Sequence, residues 1–161
     1  MTEILIALIS SGLIIFVLKE CKDYRRRQKK HDLKIYRKFN FILNDKHIIS
    51  IIKLTQEGYL PEDAYWRIDS SVEFIQLPNN QFLDKKLNQL LSDLIFNLHE
   101  IAQLYSMCGR CELVGNRYKL IAYKDGNSEE FDLINESTEK SRRLLKSYRE
   151  FRGKVKRKFK L

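Results

Sequence analysis

The chain opens with fifteen positions, Ile4 to Leu18, of which eleven are strongly apolar and none is charged. At Lys19 the character reverses into a dense basic stretch, and the apolar positions that follow recur with helical spacing rather than in a block. Ile35, Tyr36, Phe39, Ile42 and Leu43 share one face, which Cys21, Tyr24, Gln28 and His31 extend backward, so the spacing predicts one helix running from the apolar run to about Leu43. Asn44 or Asp45 caps a second helix through Gln56, ended by Gly58 and apolar around most of its circumference, as a central helix would be. Pro61-Glu62-Asp63 is a helix-start signature for a third helix, to Leu77, stopped by Pro78. This helix carries two stripes, one of Ala64, Tyr65, Ile68, Val72 and Ile75 and another of Trp66, Phe74 and Leu77. The second is either core or a partner surface, because tryptophan is enriched at contact hot spots.

From Asn80 to about Met107, Leu83, Leu87, Leu90, Leu94, Leu98, Ile101 and Tyr105 step by threes and fours. Leu91, Ile95 and Ala102 widen that stripe beyond a coiled-coil seam, although a coiled-coil dimer shares the pattern. Past Gly109 the period changes. Leu113-Val114, Tyr118 to Tyr123 and Phe131 to Ile134, separated by Gly115-Asn116 and Asp125-Gly126-Asn127, predict a β-hairpin or three-stranded meander over about 111–134. Its surface is acidic through Glu129, Glu130, Asp132 and Glu136. Ser137 or Asn135 then caps a last helix, taken as 140–161, in which Leu144, Tyr148, Phe151, Val155 and Phe159 align against ten Lys or Arg between Arg142 and Lys160.

The N-terminal run has the energetics of a membrane anchor. At about 0.3 to 0.6 kcal/mol per strongly apolar residue it favours the bilayer by several kcal/mol. A fifteen-residue helix is only about 22 Å long against a hydrocarbon core of about 30 Å, which makes the run short for a span and asks Lys19 to snorkel. A cleaved signal peptide fits poorly, since the run lacks a basic leader and a small-residue cleavage site. A buried helix fits poorly too, since the run lacks a polar stripe. Ten Lys or Arg lie between residues 19 and 38 and none before Ile4, so the positive-inside rule puts the N-terminus outside and the C-terminus in the cytoplasm.

The net charge of +9 is segregated. Residues 19–38 hold ten basic and three acidic residues, 39–139 nine and sixteen, and 140–161 eleven and one. Anionic lipid attracts a nearby basic residue by about 1 kcal/mol, so both basic ends suit headgroup contact. The last helix can equally dock on the bundle or track a phosphate backbone. Arg25, Arg26, Arg27, Lys29 and Lys30 in the stalk, with Lys154, Lys156, Arg157 and Lys158 in the tail, are the candidate membrane or phosphate surface. Three cysteines in a reducing compartment argue against a disulfide framework.

Catalytic signals are weak. Cys108-Gly109-Arg110-Cys111 is a C-x-x-C, half of a zinc site or a redox pair, with His99 as the nearest further ligand type. No βαβ pattern surrounds it, so ordinary thiols are the simpler reading and no metal is assigned. His99-Glu100 begins a metalloprotease-like helix, but Gln103 stands where the second histidine is needed. No cofactor and no enzymatic activity are expected.

Four segments follow: an anchor (1–18), a basic stalk (19–34), a helical domain (35–139) with the β-meander, and a basic amphipathic helix (140–161). The fold expected is mainly α, a single-pass transmembrane helix continuing into a cytoplasmic bundle. The function expected is a membrane-anchored binding, scaffold or regulatory protein contacting a protein partner through Trp66, Phe74 and Leu77, or through the acidic meander. The alternatives are a membrane-tethered nucleic-acid binder, or a membrane-perturbing effector that oligomerises through its anchor, for whose helix pairing Ala7 and Ser11 are a weak signal.

Overall fold

The computed structural model describes the backbone of residues 2–106, 111–121 and 127–161, and the side chains of 13–106, 111–121 and 132–161. Helix α1 spans Thr2–Ile42 without a break, and α2 spans Asp45–Gln56. Asn44 caps α2 as its sequence predicts: its side chain accepts the His47 N–H, and the His47 ring accepts the Asn44 N–H. Gly58 has a positive φ and supplies the left-handed residue that turns the chain after α2.

Strand β1, Tyr59–Pro61, comes next, where a helix start is expected. Pro61 ends an edge strand, a place that tolerates its missing N–H, and α3 begins only at Ala64 and runs to Gln76. A single 3₁₀ turn, Pro78–Asn80, separates α3 from α4, Lys85–Ser106. The start of α4 lies later than its apolar spacing suggests because Asp84 accepts the N–H groups of Lys86 and Leu87, which leaves Leu83 outside the helix and exposed. Strands β2, Cys111–Val114, and β3, Arg117–Leu120, form the expected hairpin across Gly115-Asn116, with Val114 paired to Arg117. The antiparallel sheet has the order β1-β3-β2, so its third strand comes from before α3 rather than from Phe131–Ile134. The expected strand residues Ala122 and Tyr123, and the turn at Asp125-Gly126, lie outside the described residues.

The largest departure is α5, Asn127–Phe159, which begins where the last strand is expected and absorbs it. Phe131 to Ile134 alternates too little to decide between strand and helix, and the tertiary contacts decide. Ile134 packs against Gly58, and Ser137, expected as a cap, lies inside the helix and donates from Oγ to the Thr55 carbonyl at 2.6 Å. Ser141 donates to the Ile52 carbonyl at 2.9 Å, so two small hydroxyls let α5 lie close against α2. Tyr105 Oη lies 3.1 Å from Ser137 Oγ, joining α4 to the same network. Burial drives the Tyr105 phenol well above its ordinary pKa.

Helix α5 is the spine of the bundle. It runs antiparallel to α4, with Ser137 beside Tyr105 and Lys158 beside Asp84, and antiparallel to the ends of α1 and α2. Leu144, Phe151, Val155 and Phe159 are buried among Tyr36, Phe39, Phe82 and the leucines of α4. The terminal amphipathic helix thus docks on the bundle, and α5 runs through residue 140 without a break. Tyr105→Phe removes one buried hydrogen bond and is expected to cost about 1 kcal/mol, or about 3 °C in Tm, measurable by thermal unfolding in mild detergent.

Among the described residues no helix is long and apolar enough to cross a membrane, so the expected span finds no support there. The described side chains include only Leu13 to Leu18 of the apolar run, and Lys19 follows at once.

Candidate interaction surface

Helix α1 spans 41 residues, and among its described side chains only those of the last turns touch the bundle. At 1.5 Å of rise per residue its length is about 60 Å. Asp32 and Ile35 are its first fully buried residues, preceded by half-buried Gln28 and by His31, whose Nε2 lies 3.1 Å from the Gln81 carbonyl. Before them the helix projects. Leu13 to Leu18 are 50–66% exposed around the whole circumference, and Cys21, Lys22, Tyr24 to Arg27, Lys29 and Lys30 are also exposed. Arg27 with Glu20, at 3.7 Å, is the one ion pair of this projection among the described residues.

Where α1 ends, a second exposed apolar surface begins. Phe41 is 89% exposed, although it adjoins the buried Phe39 and Leu43 in sequence. It lines a groove of about 490 Å³ with Ile42, the edge of Phe74, Arg37, Lys38 and Asn80. The groove wall is held by the Asn80 side chain, which accepts from Lys38 Nζ at 3.2 Å and donates to the Phe74 carbonyl at 3.2 Å. Arg67 extends this surface onto α3: it donates to the Ile42 carbonyl at 3.1 Å, pairs with Asp63 at 2.8 Å and stacks 4.3 Å over the Trp66 ring. Trp66 and Leu77, eleven residues apart, fall on one face of α3 and its C-terminal cap. Both are more than half exposed.

Of the expected partner stripe, Trp66 and Leu77 thus face solvent, whereas Phe74 turns into the core, its ring 6.2 Å from that of Phe39. Phe41 takes its place at the surface. An aromatic residue off the apolar stripe of a basic helix is the signal that finds it. The second expected partner surface, the acidic meander, does not form: Asp132 and Glu136 ride on α5, and the side chains of Glu129 and Glu130 lie outside the described residues.

The tail cations divide. Lys158 is turned inward, its ammonium 2.8 Å from both Asp32 and Asp84, and Lys154 leans toward Asp84 at 3.9 Å. Asp32 is fully buried and also accepts the Leu83 N–H at 2.7 Å and the Asp84 N–H at 3.3 Å. This cluster ties α1, the α4 start and the α5 end together, which makes Lys158 a structural group rather than a free phosphate contact. Lys156 and Arg157 remain exposed.

The chemical candidates do not converge. Cys108 lies outside the described residues, and the Cys111 thiol donates to the Tyr105 carbonyl. Burial raises the Cys111 pKa, the opposite of what a thiolate ligand or nucleophile needs. His99 Nε2 meets Gln103 Nε2 at 3.0 Å, one helical turn on. Among the described residues no group of three or more His, Cys, Asp and Glu side chains is placed to hold a metal. Compared with protein-family models, curated proteins and solved structures, the chain matches none.

Proposed function

We propose that this protein is a membrane-anchored binding module, its N-terminus outside and its bundle in the cytoplasm, and that it recruits a protein partner through the surface formed by Phe41, Trp66 and Leu77. The observation that carries the reading is the projecting head of α1, where Leu13 to Leu18 lie open on every side and nothing in the described chain covers them. Six consecutive apolar side chains in water are costly, at about 25 cal/mol per Å² of apolar surface, and a bilayer relieves all of them at once. The basic turns that follow match the positive-inside pattern and suit anionic headgroups at the point of exit.

The partner surface has the composition of a contact hot spot: aromatic side chains, a stacked arginine and a basic rim of Arg37, Lys38 and Arg67. Purification of the full chain from membranes in mild detergent tests both parts. The expected result is a stoichiometric protein partner with the wild type, and its loss, at unchanged thermal stability, from a Phe41→Ala/Trp66→Ala/Leu77→Ala variant. All three side chains are more than half exposed, so folding is expected to survive. Recovery of the wild type in the soluble fraction would overturn the anchor, and an unchanged partner yield from the variant would overturn the surface.

A further inference from the structure

Between the apolar head of α1 and Phe41, six of the ten basic residues of the helix share one flank, while Arg25, Arg27, Lys29 and Lys38 lie outside it. Lys19, Lys22, Arg26, Lys30, Lys34 and Arg37 recur every third or fourth residue and fall within about 120° of arc. They occupy the flank turned away from the buried positions Ile35, Phe39 and Leu43. All six are exposed, and none makes an ion pair among the described residues. Asp23 is the one carboxylate on that arc, beside a depression it shares with Glu20, Arg26, Arg27 and Lys30. Helix α1 is unbroken and has no proline, so the six form a straight row. At 1.5 Å of rise per residue the row is about 27 Å long.

The chemistry of the row selects its occupant. A second protein helix needs an apolar seam, and no exposed apolar side chain lies on this arc between Lys19 and Arg37. Single-stranded nucleic acid is held by aromatic stacking, and Tyr24, the exposed aromatic of the segment, lies on another flank. In the anchored orientation, on which this step alone rests, lipid phosphates reach only the first turns. Lys30, Lys34 and Arg37 stand about 16, about 22 and about 27 Å beyond Lys19, further than the screening length of about 8 Å. A stiff polyanion with closely spaced phosphates matches a straight row of six cations interrupted by one carboxylate, through counterion release and without base contacts.

We infer that the basic row of α1 binds the phosphate backbone of duplex nucleic acid, over about eight base pairs and without regard to sequence. The test is binding of a fluorescent mixed-sequence 24-base-pair DNA duplex to the full chain in nonionic detergent micelles, which does not depend on the anchor reading. Six phosphate contacts give a slope of log affinity against log salt of about −5, and about a thousandfold loss of affinity between 50 and 200 mM salt. Changing all six residues to Gln, which preserves helix propensity, is expected to abolish most of that slope and to weaken binding at least 100-fold at low salt. Changing Lys156, Arg157 and Lys160 to Gln is expected to leave the slope in place. No duplex binding by the wild type, loss with the tail variant instead of the α1 variant, or displacement of the duplex by micellar phosphatidylserine at equal phosphate concentration would each overturn the inference.

Discussion

Lys158→Met is expected to lower the unfolding free energy by about 3 to 5 kcal/mol, because it leaves the fully buried Asp32 carboxylate without its cation. That is a large part of the roughly 5 to 15 kcal/mol that holds a domain of this kind together. Urea unfolding in mild detergent, followed by circular dichroism, reads it directly. The double variant Asp32→Asn/Lys158→Met is expected to recover part of the loss, since a neutral amide oxygen can still accept the Leu83 N–H. Equal stability of Lys158→Met and wild type would show that the cluster is decorative.

The same cluster shapes the pH dependence. Burial by itself pushes the Asp84 carboxyl up, but the Lys158 hydrogen bond, the Leu87 N–H and the charges of Lys158 and Lys154 outweigh it and hold the group below its ordinary value. Burial by itself pushes the Lys158 ammonium down, and its bonds to Asp32 and Asp84 outweigh that and hold it above its ordinary value. A depressed carboxyl contributes stability that is present above its unfolded pKa and lost as pH falls through the folded one. A raised ammonium contributes stability that is present below its unfolded pKa and lost as pH rises through the folded one. The wild type is therefore expected to show a plateau near neutrality with losses on both sides, and Lys158→Met to lose the alkaline limb and flatten the acid one.

The second large effect is on localisation. A lysine near the middle of a membrane helix costs about 2.5 to 3.5 kcal/mol, so Ile9→Lys with Leu13→Lys costs roughly 5 to 7 kcal/mol, enough to cancel the several kcal/mol that the apolar run contributes. The double variant is expected to leave the membrane pellet for the supernatant on alkaline extraction, while the wild type stays. Both positions lie well before Asp32, so thermal unfolding of the bundle should not change. Retention of the double variant in the pellet would mean that something other than this run holds the protein there.

Several elements are readable from local chemistry. The continuous α1, the Asn44 cap, the Gly58 turn, the broad stripe of α4 and the hairpin across Gly115-Asn116 each rest on residues within a turn or two of one another. The failures have a common cause. Tyr59–Pro61 becomes a strand because β3, some sixty residues later, pairs with it at Tyr59 to Lys119 and Leu60 to Tyr118. Phe131 to Ile134 joins α5, where Leu133 packs against the core and Ile134 against Gly58 at the end of α2. In each case a partner distant in sequence outweighs a weak local preference.

The candidate surfaces divide along the same line. Sequence alone determines that apolar and basic residues are segregated along α1, and that six of its ten cations share one flank once the helix is continuous, because helical periodicity follows from residue order. Only the tertiary structure decides that Phe74 is core while Phe41 is open, that Lys158 is neutralised while Lys156 is not, and that the last helix is the spine of the bundle. These outcomes depend on which side chains meet across tens of residues of intervening chain. Burial and pairing belong to the packed assembly of elements, whereas periodicity belongs to each element by itself.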